Sequence, residues 1–242
     1  MNLAAQTFAS REVRIPCGDA WLHGDLTLPS QAIGLVLFVH GSGGSRGRHS
    51  ARNRRVAQAL QLSGVATLLF DVLTAQEEQS DVHTSEQRAD VALLTQRLQK
   101  ATDWALTQSD LLRLPLGYFG AGGGSAAAII EAARLSERID AVVSCGGWPD
   151  LAGPVAVAAV SAPTLLIAGG ADLAVAERNA ETIDHLRCHK QLALVEGATH
   201  LFEERGALEQ VTELAASWFT THLARPGPTD LAPGMAGKGN NS

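Results

Sequence analysis

The run Gly120-Ala121-Gly122-Gly123-Gly124 carries the outer glycines of a G-x-S-x-G nucleophile elbow, but its central position is Gly122 instead of serine. An apolar run over 114–119 precedes it and a helix-forming run over 125–133 follows. That is the strand, sharp turn, helix context in which a nucleophile is held up at a sheet edge. Two downstream residues are suited to complete a triad. Asp172 follows an apolar run, where it can accept a hydrogen bond from an imidazole Nδ1–H and stabilise the imidazolium. It also precedes a helical segment over 173–186, which it can cap. His200, in Gly197-Ala-Thr-His200, lies between the last apolar run and the last amphipathic one. There it can serve as general base and then general acid. The loop His40-Gly-Ser-Gly-Gly-Ser45 is made of small residues whose N–H groups can approach an oxyanion. Ser42 and Gly123 are the expected donors.

With Gly122 in the nucleophile slot, other groups must be weighed. Ser125 would lie on the same helix face but about one turn, roughly 5 Å, too deep. Cys145, in Ser144-Cys-Gly-Gly-Trp-Pro-Asp150, is expected on the strand beside the elbow, roughly 5 Å away. It is the candidate substitute nucleophile, with a packed structural cysteine as the competing reading. Trp148 of the same run is expected in the pocket wall. Without a side-chain nucleophile, His200 can still activate water or take a proton from a bound substrate, and Gly122 leaves room for either. The cluster Arg46, Arg48, His49, Arg52, Arg54 and Arg55 could draw a carboxylate or phosphate; the competing reading is a solvated helix face paired with acids.

These residues need a frame. Continuous apolar runs over 34–39, 66–70, 116–119, 139–143, 164–168 and 191–195 indicate strands buried on both faces, hence a parallel sheet. Amphipathic segments alternate with them. Val91, Leu94, Leu98, Ala101 and Ala105 share one face of a helix over 86–107, and Val211, Leu214, Ala215, Trp218 and Phe219 share another. Right-handed crossovers put helices on both sides of the sheet. Strands over 11–16 and 20–28, joined through Cys17-Gly18-Asp19, form an antiparallel pair with one wet face. The acidic stretch 76–84 reads as a solvated loop or a mobile flap. Residues 1–223 are expected to form one α/β domain and 224–242 a disordered tail.

Of 242 residues, 45% are hydrophobic and the formal net charge is -6, which argues against a nucleic-acid partner and gives no reason to expect a membrane surface. The N-terminus shows no basic n-region or apolar core, so no secretory signal is expected. Cys17, Cys145 and Cys188 are odd in number and lack metal-ligand spacing, which suits a reducing cytoplasm. The G-K-[ST] of a phosphate-cradling loop is absent. No cofactor or metal is called for, and the expected partner is a small-molecule substrate.

The order elbow, Asp172, His200 is that of α/β-hydrolase triads. The chain resembles the dienelactone hydrolase family, and within it bacterial members sometimes fused to phosphoribosyltransferases. The resemblance rests on Val39-His-Gly-Ser-Gly, Arg52-Asn-Arg54, Ala66-Thr-Leu-Leu-Phe-Asp71, Gly117-Tyr-Phe-Gly-Ala121 and Gly197-Ala-Thr-His-Leu-Phe-Glu-Glu204, and covers residues from about 33 to 224. It implies an α/β-hydrolase fold with an eight-stranded, mostly parallel sheet. It also implies ester or lactone hydrolysis, with His200 as base, Asp172 as acid and position 122 as nucleophile. Relatives tend to carry Arg where Cys145 and Trp148 stand. Three activities follow: hydrolysis of a small ester or lactone; non-hydrolytic catalysis with His200 as base; or a catalytically silent binding module.

Overall fold

The computed structural model describes residues 7–41, 47–81 and 90–224. Its strands are β1 (Phe8–Cys17), β2 (Ala20–Pro29), β3 (Gly34–His40), β4 (Val65–Phe70), β5 (Leu116–Ala121), β6 (Ile139–Cys145), β7 (Thr164–Gly169) and β8 (Lys190–Val195). They form one eight-stranded sheet in the order β1-β2-β4-β3-β5-β6-β7-β8. β1 pairs antiparallel with β2, and β2 antiparallel with β4. Every other pairing is parallel. The apolar runs become the parallel strands because they are covered on both faces. The hairpin alternates instead: Val13 and Ile15 are buried on β1 while their neighbours face out. Its turn closes at Gly18 with φ of 61°.

Among the described residues seven α-helices flank the sheet: α1 (Ala51–Leu62), α2 (Ala75–Asp81), α3 (Val91–Ala105), α4 (Gly124–Arg134), α5 (Gly153–Ala159), α6 (Leu173–His185) and α7 (Ala207–Leu223). One core layer packs Val36 and Phe38 of β3 under Val56 and Leu60 of α1 and Val211 and Phe219 of α7. The other packs Leu35, Leu37 and Val39 under Leu94 and Leu98 of α3 and Ala128 and Ile129 of α4. The alternation along β3 thus divides the molecule into two buried layers, as a period of two residues per strand repeat requires.

Two expectations are corrected. The stretch 76–84 is not simply a loop, because residues 75–81 form α2. Its start is a reciprocal cap: the Thr74 N–H donates to Glu77 Oε2 at 2.8 Å and the Glu77 N–H to Thr74 Oγ1 at 3.3 Å. The helix expected over 86–107 is α3, which begins one residue after Asp90. The Asp90 carboxylate accepts the Ala92 N–H at 2.8 Å and so stops the helix there. Residues 82–89, and the expected tail from 225 onward, lie outside the described residues.

Candidate active site

β3, β5 and β6 end at one level, and β7 runs two residues past it to Gly169. Across the sheet, His40 pairs with Ala121, Ala121 with Cys145, and Cys145 with Ile167. Beyond this edge Gly122, Gly146, Gly147 and the Asp172–His200 pair come together, where α/β folds place their ligand sites.

Gly122 is the first residue beyond β5. It sits in the left-handed region with φ of 57°, and its N–H donates to the Cys145 carbonyl at 3.3 Å. α4 starts two residues later, with Gly123 as its N-cap. Among the described residues, none comes within 4 Å of a Cβ built at Gly122. The turn is tight on its other side. Gly147, after β6, packs so closely that a Cβ there would lie 2.4 Å from the Gly122 carbonyl oxygen and 2.0 Å from Ser125 Oγ.

Asp172 and His200 come together from the ends of β7 and β8. The His200 Nδ1 lies 2.6 Å from Asp172 Oδ2, while Asp172 Oδ1 accepts the Val175 N–H at 3.4 Å to cap α6. The carboxylate therefore takes both expected positions, one oxygen for each. The Asp172 side chain is 25% exposed and the His200 side chain 46% exposed, so the pair sits at a rim and not in the core. With Nδ1 committed to the carboxylate, Nε2 is the ring nitrogen left for a substrate. The backbone of this loop also touches the strand next to the elbow. Gly146 lies under the His200 carbonyl, where a Cβ would approach to 2.3 Å.

The candidate oxyanion donors divide. Gly123 heads α4, where first-turn amides have no acceptor within the helix. Ser42 falls in 42–46, outside the described residues. Its neighbour Gly41 is tied to the elbow strand, its N–H donating to the Ala121 carbonyl at 3.1 Å.

The two substitute hydroxyl and thiol groups are occupied elsewhere. Ser125 is fully buried and its Oγ–H donates to the Gly120 carbonyl at 3.1 Å. Cys145 sits level with the elbow as expected, but it is 2% exposed and packs in the α1–α7 layer with Phe202 and Ala198. Burial pushes its thiol up to about 12, although Arg52 pulls the other way. Of the two readings, the burial of Cys145 favours the packed structural cysteine over the substitute nucleophile, because desolvation works against the thiolate. Trp148 is partly exposed. The Arg178 guanidinium lies 5.1 Å from its ring centroid, and Arg178 is itself held by Asp150 at 2.8 Å.

The basic cluster separates into two groups. Arg48 is nearly buried and paired, with Nε 3.0 Å from Asp71 Oδ2 and Nη1 2.9 Å from Asp25 and 3.2 Å from Glu12. Burial works against its charge, but Asp71 and Asp25 outweigh that and raise its pKa. Burial likewise pushes the Asp71 carboxyl up, with Arg48 offsetting part of the effect. Arg54 reaches Asp25 at 3.6 Å. Arg46 lies outside the described residues. Arg52 and Arg55 instead line a cleft of about 880 Å³ between α1 and residues 201–209, with Gly41 and Ala121 at its base. The Arg52 guanidinium donates across it to the Leu201 carbonyl at 3.3 Å.

Sequence reasoning missed Gly147, Arg178, the acids around Arg48 and the turn after His200. Gly147, Arg178 and the acids around Arg48 gain meaning only from partners distant in the chain, and the turn after His200 from side-chain and backbone contacts that no residue pattern announces.

No family model matches the chain. It is similar to the crystal structure of dienelactone hydrolase from Anabaena variabilis, at 47% identity and a TM-score of 0.85, covering 89% of this chain and 98% of that one. A dienelactone hydrolase-like promiscuous phosphotriesterase from metagenomic libraries shares the fold, at 18% identity and a TM-score of 0.70 over 89% of this chain and 98% of that one. Two Mycobacterium tuberculosis proteins, provisionally named phosphoribosyl transferases, are 49% identical over 220 residues, or 90% of this chain and 48% of theirs. The chain thus spans about half the length of the curated relatives it matches. Near-complete coverage of the Anabaena enzyme at 47% identity, on the same eight-stranded frame, means that the chain belongs to the dienelactone hydrolase-like family of α/β-hydrolases.

Proposed function

We propose that this protein hydrolyses a small carboxylic ester or lactone, with His200 as base and acid, Asp172 as its anchor, and water beside Gly122 as the nucleophile. One observation carries the reading: the 2.6 Å contact between His200 Nδ1 and Asp172 Oδ2. It fixes the tautomer that leaves Nε2 able to accept a proton.

In this reading Nε2 takes a proton from the water, and the water oxygen bonds to the acyl carbon. The carbonyl π pair moves onto oxygen, where the Gly123 N–H at the head of α4 stabilises it. Collapse of the tetrahedral species breaks the bond to the leaving oxygen, which recovers the proton from Nε2. An ester yields an acid and an alcohol; a lactone yields one hydroxy acid. Gly122 cannot form an acyl-enzyme, so turnover proceeds without a burst. Sites lacking a triad member keep a residual catalysis of about 10³–10⁴ over water, so a slow rate is expected.

That no described residue comes within 4 Å of a Cβ at Gly122 supports a water or part of a substrate there. The three free cysteines suit a cytoplasmic setting. The transferase name of the curated relatives belongs to proteins of which the matched region is 48%, whereas the hydrolase match runs along 98% of its counterpart. The test is turnover of a nitrophenyl acetate by wild type and His200→Ala. A loss of about tenfold or more, with a linear time course from the first turnover, is expected. Equal rates in the two proteins would reject His200 as the base.

A further inference from the structure

The His200 imidazole is 46% exposed. Little core packing holds such a ring, so its place depends on the backbone turn that carries it. That turn is unusual. Phe202 is the one non-glycine among the described residues with positive φ, at 54°. Its side chain is nevertheless buried, at 2% exposure. A left-handed conformation costs an ordinary residue roughly 1–2 kcal/mol and persists only where the surroundings over-determine it.

Those surroundings can be named. Before His200, the Ala171 N–H donates to the Ala198 carbonyl at 2.9 Å. After it, the Phe202 N–H donates to the Thr199 carbonyl at 3.2 Å. The Thr199 N–H donates to Glu204 Oε1 at 3.1 Å. The Glu204 carbonyl in turn accepts the Ala207 N–H at 3.0 Å, where α7 begins. Glu204 thus joins the residue preceding His200 to the head of α7, and its carboxylate spans the turn that contains the strained Phe202.

We infer that Glu204 is a positioning residue for His200, its carboxylate fixing the turn that aims the imidazole at Asp172. It touches neither the ring nor the proposed reacting atoms, and acts through the Thr199 amide. Backbone N–H donors, chief among them its own and that of Thr199, hold the Glu204 carboxyl below its ordinary pKa, which keeps the acceptor charged. The inference on turnover rests on the proposed role of His200 as base; the geometric part stands apart from it.

The experiment compares Glu204→Ala with Glu204→Gln, which keeps an acceptor oxygen. Two-bond proton–nitrogen correlations of the His200 ring, recorded where the ring is neutral, read its tautomer through carbon-bound protons. Wild type and Glu204→Gln are expected to hold the Nδ1–H tautomer, and Glu204→Ala to show a mixture. In ester turnover, Glu204→Ala should lose about tenfold to a hundredfold in kcat with KM little changed, and Glu204→Gln should stay near wild type. A fixed Nδ1–H tautomer in Glu204→Ala, or the same mixture in Glu204→Gln, would overturn the inference. Absence of ester turnover in all three proteins would remove the proposed hydrolysis and leave the tautomer to decide the role of Glu204.

Discussion

Gly147 stands against the carbonyl of Gly122, with no room for a methyl group between them: a Cβ at 147 would fall 2.4 Å from that oxygen. The shape of the elbow is therefore set by the loop after β6 as well as by its own glycines. Space is closed on this side, whereas no described residue stands within 4 Å of where a side chain at 122 would begin.

Gly147→Ala should push the two loops apart. The neighbours it meets are the Gly122 backbone and Ser125 Oγ and Cβ at 2.0 and 2.6 Å, none of which is the far end of a flexible side chain. Overpacking of this kind costs about 1–3 kcal/mol. Urea denaturation should show that loss, and ester turnover should fall with it. Unchanged stability would mean that the loops are not in this contact.

Cys145 makes a prediction about alkaline pH. Its folded pKa, about 12, is raised from 9.0 by burial. A raised pKa stabilises the fold fully below the unfolded value and is lost as pH climbs toward the folded one, because only the unfolded thiol ionises in between. Stability should drop above pH 9, by up to about 1.4 kcal/mol per pH unit from this group. In Cys145→Ala that component should vanish, while the part due to Tyr118, whose pKa burial also raises, should persist. Identical alkaline slopes in the two proteins would contradict the burial of the thiol.

Arg48→Met should leave Asp71, Asp25 and Glu12 without the cation that brackets them. Leaving the largely buried Asp71 carboxylate without its partner costs about 1–3 kcal/mol. The loss should be largest at about pH 8 and smaller at about pH 5, because Asp71, without Arg48 to lower its pKa, can take a proton and become neutral. Denaturation at both pH values checks this. A loss independent of pH would mean that the carboxylates are not the cause.

Most of the frame was legible because buried parallel strands announce themselves. Runs such as Leu35–Val39 and Leu165–Ala168 are apolar without a break, and each is a strand. The placement of Asp172 and His200 followed from the same pattern, since loops after parallel strands share one edge of the sheet. What escaped was anything decided by side-chain direction or distant contact. Cys145 was placed at the right level, but which layer its thiol enters depends on strand parity: with Ala141 and Val143 it faces α1 and α7. α2 was missed because its polar face hid the Thr74–Glu77 cap. The basic cluster looked uniform because the acids that pair with Arg48 come from β1, β2 and the end of β4.

The most direct measurement is ester turnover by Gly122→Ser. The left-handed φ of 57° should cost the variant roughly 1–2 kcal/mol of stability, with no described residue within 4 Å of the new Cβ. Turnover should rise by about a hundredfold or more, with an acyl burst that is lost again in the double variant with His200→Ala. A folded Gly122→Ser protein that turns over esters no faster than wild type would contradict the proposed function.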